Sequence, residues 1–362
     1  MESPLDDLVH VRHCESSADF LSALSPRDSA FISIYPRGWI FRGVSDADFP
    51  LVPSALRANS EKWKKLTFHE VLTNEDQCFA EKELLSEFFR VADAIGLHLP
   101  EDTQSLRDLF GLPHHKSESW PPKEILSLMA LAQHHGMPTR LLDWSRHPLK
   151  AALFAAREAA VNSDKSGRIA VWSLCIDNLQ TLRDLPAPFT VITAPSATNS
   201  NLRAQEGVFT LANHITLDAN PIDRTSFDQL LNAWIAQHEI QSTAPWFRCF
   251  TFPQSLADEL SFDLALEGIT EATLYPDFYG VVRAVEDLYR FHHNDGPGKR
   301  RVAQFLEGFS IRHRTEISRT ELMLRLRPPP PGPDGFISTL GLSVPDYSIA
   351  SSHIKPMATY EM

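Results

Sequence analysis

KEILSLMALAQHHGMPTRLLDWSRHPLKAALFAAREAA, residues 123–160, holds two helices with a dense polar turn between them. In the first, Lys123 to about His134, Ile125, Leu128, Met129 and Ala132 recur at three- and four-residue intervals and form one buried stripe. Pro121-Pro122 open it, and Gly136 supplies its stop. The second, Leu149–Ala160, follows Pro148 and is rich in alanine, the best helix former. Only then comes a strand, GRIAVWSLCI (Gly167–Ile176), alternating and β-branched. Runs of helix followed by runs of strand, without regular βαβ alternation, predict an α+β fold.

Working outward, Glu81–Ala94 reads as a helix stopped by Gly96, and Ser16–Leu24 as a shorter one. The β-type run Phe31–Tyr35 passes through Pro36-Arg37-Gly38 into Trp39-Ile40-Phe41, a strand expected to end at Arg42-Gly43. Asp48–Arg57 reads as loop and helical turn, and Leu112–Pro122 as loop. Downstream, Val191–Thr193, Gly207–Leu211 and Phe247–Phe252 are predicted strands. Ser226–Gln237, Ser255–Leu266 and Val281–Phe291 are predicted helices, with a loop at Thr273–Gly280. The expected organisation is one main domain of mixed helices and short strands with a basic, Pro-rich C-terminal extension. Its segments are a motif core over 31–157, a continuation over 158–291 and the extension over 292–362. There HHNDGPG (His292–Gly298) reads as a break, 299–327 carries eight basic side chains against three glutamates, and Pro328–Pro333 suits a polyproline II spacer.

The composition is that of a globular chain: 43% hydrophobic and 22% charged over 362 residues. A formal net charge of −12 argues against a protein that coats nucleic acid non-specifically. Cys14, Cys78, Cys175 and Cys249 are scattered and show neither metal-ligand nor disulfide-framework spacing. No run of about 18 apolar residues suits a membrane span. These features predict a soluble, cytoplasmic protein without metal and without membrane association.

Three segments concentrate the chemistry. In Trp39–Ser45, Arg42 is suited to hold phosphate or carboxylate bidentately, or to staple the fold by pairing with a carboxylate such as Asp143. Gly43 beside it permits close approach to the backbone. In Leu131–Ser145, His134 and His135 lie at a helix C-terminus and are potential proton carriers. Thr139, Arg140, Asp143 and Ser145 form a polar cluster framed by Leu141, Leu142 and Trp144, which must be hydrogen-bonded or functional. In Arg203–Thr210, Gln205 can bond a ligand but cannot act as a base, and Glu206 is the sole carboxylate.

These segments resemble the FRG domain, named for the triplet seen here as Phe41-Arg42-Gly43. LAQHHGMPTRLLDWSRHPLKAALFAA is similar to its most recognisable signature, and RAQEGVFTL to its later Gln-x-Gly block. Glu267–Asp277 is similar to its Gly-Ile…Leu-Phe-Pro-Asp segment, with Tyr275 where Phe is usual, and His147 stands before Pro148 where Asn is usual. The resemblance spans roughly residues 31–291 and implies a family, not a reaction. By fold-level analogy, NAD-dependent ADP-ribosyltransferases share an order of parts: an Arg or His ending an early strand, a Ser/Thr-bearing strand, and a late loop with Glu or Gln. Arg42-Gly43, Thr139/Ser145 and Gln205-Glu206 follow that order. The expected catalytic set is therefore Arg42, Gln205, Glu206 and His135. The expected ligand-binding set is Arg42, Gly43, His134, Thr139, Arg140, Asp143 and Ser145, with NAD as cofactor or another anionic nucleotide as ligand. Two alternatives stay open. One is a non-catalytic module recognising a ligand, nucleic acid or peptide; the other places function in 299–333, contacting nucleic acid or a protein partner.

Overall fold

The computed structural model describes residues 9–308 apart from 29–30, 32–37, 59, 68–69, 112–119, 162–164, 178–184, 195–198, 214–217, 241–246 and 294–295. Up to Leu306 the chain forms one compact unit. Its centre is a seven-stranded mixed sheet in the order β1-β7-β4-β2-β3-β6-β5. The strands are β1 (Val9–His13), β2 (Trp39–Val44), β3 (Leu142–Ser145), β4 (Arg168–Cys175), β5 (Phe189–Ile192), β6 (Gly207–Ala212) and β7 (Phe247–Pro253). Neighbours run antiparallel except β1 and β7, which are parallel. Among the described residues there are twelve α-helices: α1 (Ser17–Ala23), α2 (Glu61–Leu66), α3 (Asn74–Ala94), α4 (Gln104–Gly111), α5 (Leu126–His134), α6 (Pro148–Val161), α7 (Ser200–Ala204), α8 (Phe227–Gln237), α9 (Ala257–Leu266), α10 (Glu271–Leu274), α11 (Phe278–His292) and α12 (Pro297–Gly308). The fold is α+β. No described helix is long and apolar enough to cross a membrane.

Alternation along the strands divides the core. Trp39 and Phe41 of β2 pack with α1, α6 and α9, whereas Ile40 packs with Leu142, Trp144 and α8. On β6, Phe209 and Leu211 join a third cluster under α3, α4 and α5, while Val208 joins the α8 cluster. One sheet face thus carries two helical layers side by side, and the other carries α8. The boundary between the two layers falls at β2 and β3. Those strands share a single register pair, Phe41↔Ser145, whereas β2 and β4 pair over six positions. Beyond Phe41 the two strands part, and the sheet is split there.

Several boundaries differ from the sequence reading. Most of Phe31–Tyr35 lies outside the described residues. β2 does not end at Arg42-Gly43 but continues to Val44, because β4 pairs with it through Ala170. α3 starts seven residues before Glu81, at a capping box in which Thr73 and Asp76 bond reciprocally. The expected loop Thr273–Gly280 contains the end of α10 and the start of α11, which Asp277 caps through the Gly280 N–H. The break expected at His292–Gly298 is shortened from both sides by α11 and α12. β1, β3, α2, α4 and α7 had no counterpart in the periodicity.

Candidate functional site

The split opens into a cleft of about 350 Å³, lined among others by Arg42, Arg57, Gln133, His134, Asp143 and Gln205. Each is aimed there by local structure. α5 ends in a Schellman turn: Gly136, at φ 85°, lets its N–H reach the Gln133 carbonyl and the Met137 N–H reach that of Ala132. That termination leaves Gln133 and His134 at the cleft. Arg42 shares its register with Trp172, whose ring packs in the α8 cluster, so it begins on the sheet face opposite Phe41. Its guanidinium crosses the gap: Nη1 donates to the Asp143 backbone carbonyl at 2.7 Å and to Asp143 Oδ1 at 2.6 Å. Arg42 thereby replaces the missing β2–β3 ladder. Its Nε is buried with no hydrogen-bond partner.

Asp143 is the more open member of this pair, with 64% of its side chain exposed against 11% for Arg42. Gln133 Nε2 donates to the same oxygen, Oδ1, at 3.1 Å. The amide of Gln133 is oriented by Thr139, whose hydroxyl donates to Oε1 and accepts from the Leu141 N–H. Both side-chain donors fall on one carboxylate oxygen, Oδ1, of a residue that lines the cleft. Protein surrounds the carboxyl at longer range although its own atoms are open to the cleft. The desolvation this causes works against ionisation, but the charge and hydrogen bonds of Arg42 outweigh it and hold Asp143 below the usual carboxylate range. Arg57 anchors through Nε to the Val52 carbonyl at 3.0 Å; burial, then the neighbouring Arg42, lower its pKa. His134 is likewise lowered by burial and by His135, with Asp277 opposing. Glu158 and Tyr275 also line the cleft.

The expected residues separate into those at the cleft and those behind it. Arg42, Gly43, His134, Asp143, Ser145 and Gln205 all line it. Thr139 is buried and acts through Gln133. Ser145 donates to the Gln205 carbonyl at 2.7 Å and accepts from the His147 N–H, so it ties β3 to the turn before β6. Gly43 answers to a neighbouring helix: a Cβ there would lie 1.9 Å from the Ala151 carbonyl oxygen of α6. Three expectations are corrected in placement. Arg140 lies in a separate buried network, its Nε 2.5 Å from Glu81 Oε2, which also accepts from Trp120 Nε1 at 2.9 Å. Glu206 is held at φ 50° and pairs with Lys150 at 2.9 Å, while its neighbours Gln205 and Gly207 line the cleft. His135, one step round the helix from His134, is exposed and is not among the lining residues. Reasoning from sequence missed Arg57, Gln133, Glu158 and Tyr275. Gln133 and Tyr275 stand inside the quoted motifs, Arg57 ends the segment read as loop and helical turn, and Glu158 lies on the alanine-rich helix α6.

Among the described residues no group of three or more His, Cys, Asp or Glu side chains could hold a metal ion. Of the basic segment, Arg300 and Arg301 sit on α12 and face Glu259 and Asp263 of α9; 309–333 lie outside the described residues.

Residues 37–164 match the family model of the FRG domain, which takes in the Phe41-Arg42-Gly43 strand, the α5–β3 signature and α6. An FRG domain is present in this part of the chain. No curated protein and no solved structure matches it. The FRG match supplies Arg42, Arg57, Gln133, His134, Asp143 and Glu158 of the cleft, while Gln205 and Tyr275 come from later chain.

Proposed function

We propose that the cleft binds a phosphate-bearing nucleotide, with NAD the first candidate, and that Asp143 meets its ribosyl carbon in an ADP-ribosyl transfer or hydrolysis. The observation that carries this reading is the state of Asp143: ionised, pinned through Oδ1 by Arg42 and Gln133, and exposed at the cleft. A fixed carboxylate is suited to stabilise positive charge that develops as a bond to a good leaving group breaks. In NAD that bond joins ribose C1′ to the nicotinamide nitrogen. The electron pair leaves with nicotinamide, and water or an acceptor hydroxyl adds to C1′ and gives up its proton. Arg42 is committed to Asp143, so Arg57 is the side chain assigned to the ligand phosphate. Gln205, whose Nε2 also donates to the Leu274 carbonyl at 3.3 Å, offers its amide oxygen to the ribose hydroxyls from the cleft lining, and Tyr275 a ring and a hydroxyl.

A second reading, nucleotide recognition without turnover, is favoured by the pairing of Glu206 with Lys150. It leaves Gln205, which cannot act as a base, on the cleft wall. Calorimetric titration with NAD and ADP-ribose tests binding itself. Saturable binding, weakened about 10- to 100-fold by Arg57→Ala on loss of a charge-assisted contact, is the expected result. Absence of binding, or equal affinity in the variant, contradicts both readings.

A further inference from the structure

α11 is amphipathic the wrong way round. Its polar side chains Arg283, Asp287 and Arg290 turn inward: Arg290 bonds Asp287 at 2.7 Å and pairs with Asp258, and Arg283 lies 3.8 Å from the buried Glu271. The helix is anchored by Gly280, where a Cβ would lie 2.0 Å from the Tyr275 carbonyl oxygen, and by Phe291, whose ring lies 5.4 Å from that of Phe262. The outward face is apolar along its whole length: Phe278 (90% exposed), Val281, Val282, Val285, Leu288 and Tyr289 (70%). At 3.6 residues per turn these side chains form one stripe. Monomers seldom leave more than roughly 300–600 Å² of continuous apolar surface open. A stripe four turns long with two exposed rings reaches that limit on one helix.

We propose that the outer face of α11 is a self-association surface, pairing antiparallel with the same helix of a second copy about a two-fold axis at Val285. The stripe has the symmetry such an interface requires, since each patch must complement itself. Counted from Val285, its members stand three and four residues away in both directions, Val282 and Leu288, Val281 and Tyr289, and Phe278 stands seven residues before it. Antiparallel pairing therefore sets Tyr289 against Val281 and Leu288 against Val282, and lays Phe278 over the end of the partner helix at position 292, where the His292 ring lies near Phe262. Each large side chain meets a small or flat one, and a small one sits at the crossing point. The polar side chains already turned inward leave no charge to be desolvated along the centre of the stripe. Six large apolar side chains and their rim come to the order of the roughly 800 Å² per partner that a stable interface uses.

Sedimentation equilibrium on the full chain across the micromolar range tests this. The wild type is expected at twice the monomer mass, and Val285→Asp at the monomer mass with an unchanged circular dichroism spectrum. Val285→Cys provides an independent readout, because the four native cysteines are buried. Mild oxidation is expected to link two chains through the introduced thiol, whereas Glu87→Cys, on the exposed side of α3, stays unlinked. A monomeric wild type overturns the proposal. If the thiol of Val285→Cys in that monomer resists alkylation, another part of the same chain covers the stripe; if it reacts freely, nothing does. A dimer that survives Val285→Asp overturns it as well.

Discussion

Arg42 completes a structural task before it meets any ligand: it closes the split between β2 and β3 and fixes Asp143. Arg42→Ala is therefore expected to destabilise the fold by about 1.5–3 kcal/mol, the worth of hydrogen bonds to a charged group. Urea denaturation measures this, and the same change should raise the Asp143 pKa. The sequence contained both the residue and its partner, but phosphate contact and carboxylate staple are chemically equal uses of a guanidinium. Geometry alone distinguishes them. Glu271 supports a pH prediction. It is 1% exposed and lies 2.9 Å from Arg157 Nη1, yet neither oxygen accepts a hydrogen bond, so the pair is close but badly aligned. Burial, only partly offset by Arg157, raises its pKa from 4.5 to about 7. The folded state keeps a proton that the unfolded chain releases, so this contribution is complete below pH 4.5 and is lost as the pH rises through about 7. His134 and His147, both lowered from 6.5 by burial, act oppositely: their contribution is complete above 6.5 and falls on acidification. Glu271→Gln should remove the decline towards pH ~8 and leave only the acid-side fall, as read from denaturation midpoints at about pH 5, 6.5 and 8. An unchanged decline would mean that another group carries it.

Among the elements, the contact between β2 and α6 is the tightest constraint on the cleft wall. α6 presents Ala151, Ala152, Ala155, Ala156 and Ala159 to the core, and such small side chains permit the close approach to Gly43. Gly43→Ala places a methyl group against backbone that cannot move independently. A cost of about 3 kcal/mol or more is expected in urea denaturation, at or above the usual range for overpacking. In sequence the alanines spoke for helix propensity; their second role appears only once β2 lies beneath them. Long periodic elements such as α5, α6 and α8 were legible within a few residues. β1 and β3 were not. β1 lies at the sheet edge with a largely exposed pattern, and β3 is four residues of mixed polarity whose strand character comes from β6. The early start of α3 was hidden because NEDQCFA carries little apolar periodicity, though Thr73 and Asp76 spell a capping box.

At the scale of the molecule, two networks hold the parts together, one at the cleft and one buried behind it. Arg140, Glu81, Gln77 and Trp120, all buried, join α3 to the segment between α5 and β3. Glu81→Ala strands a buried guanidinium and an indole N–H, and a loss of about 3–5 kcal/mol is expected from denaturation midpoints. From the sequence Arg140 and Arg42 looked alike, since each stands in a motif as an expected ligand-binding guanidinium. Burial and partner separate them. The cleft itself draws on chain far apart in sequence, from Arg42 to Tyr275, and this long-range convergence had no local signature beyond the motifs themselves. The central claim, that Asp143 acts on a ribosyl bond, is tested most directly by following nicotinamide release from NAD by chromatography in wild type and Asp143→Asn. Release by the wild type, lost by at least about 100-fold in a folded Asp143→Asn protein on removal of one preorganised charge, is the predicted result. No release by the wild type, or equal release by both proteins, would contradict it.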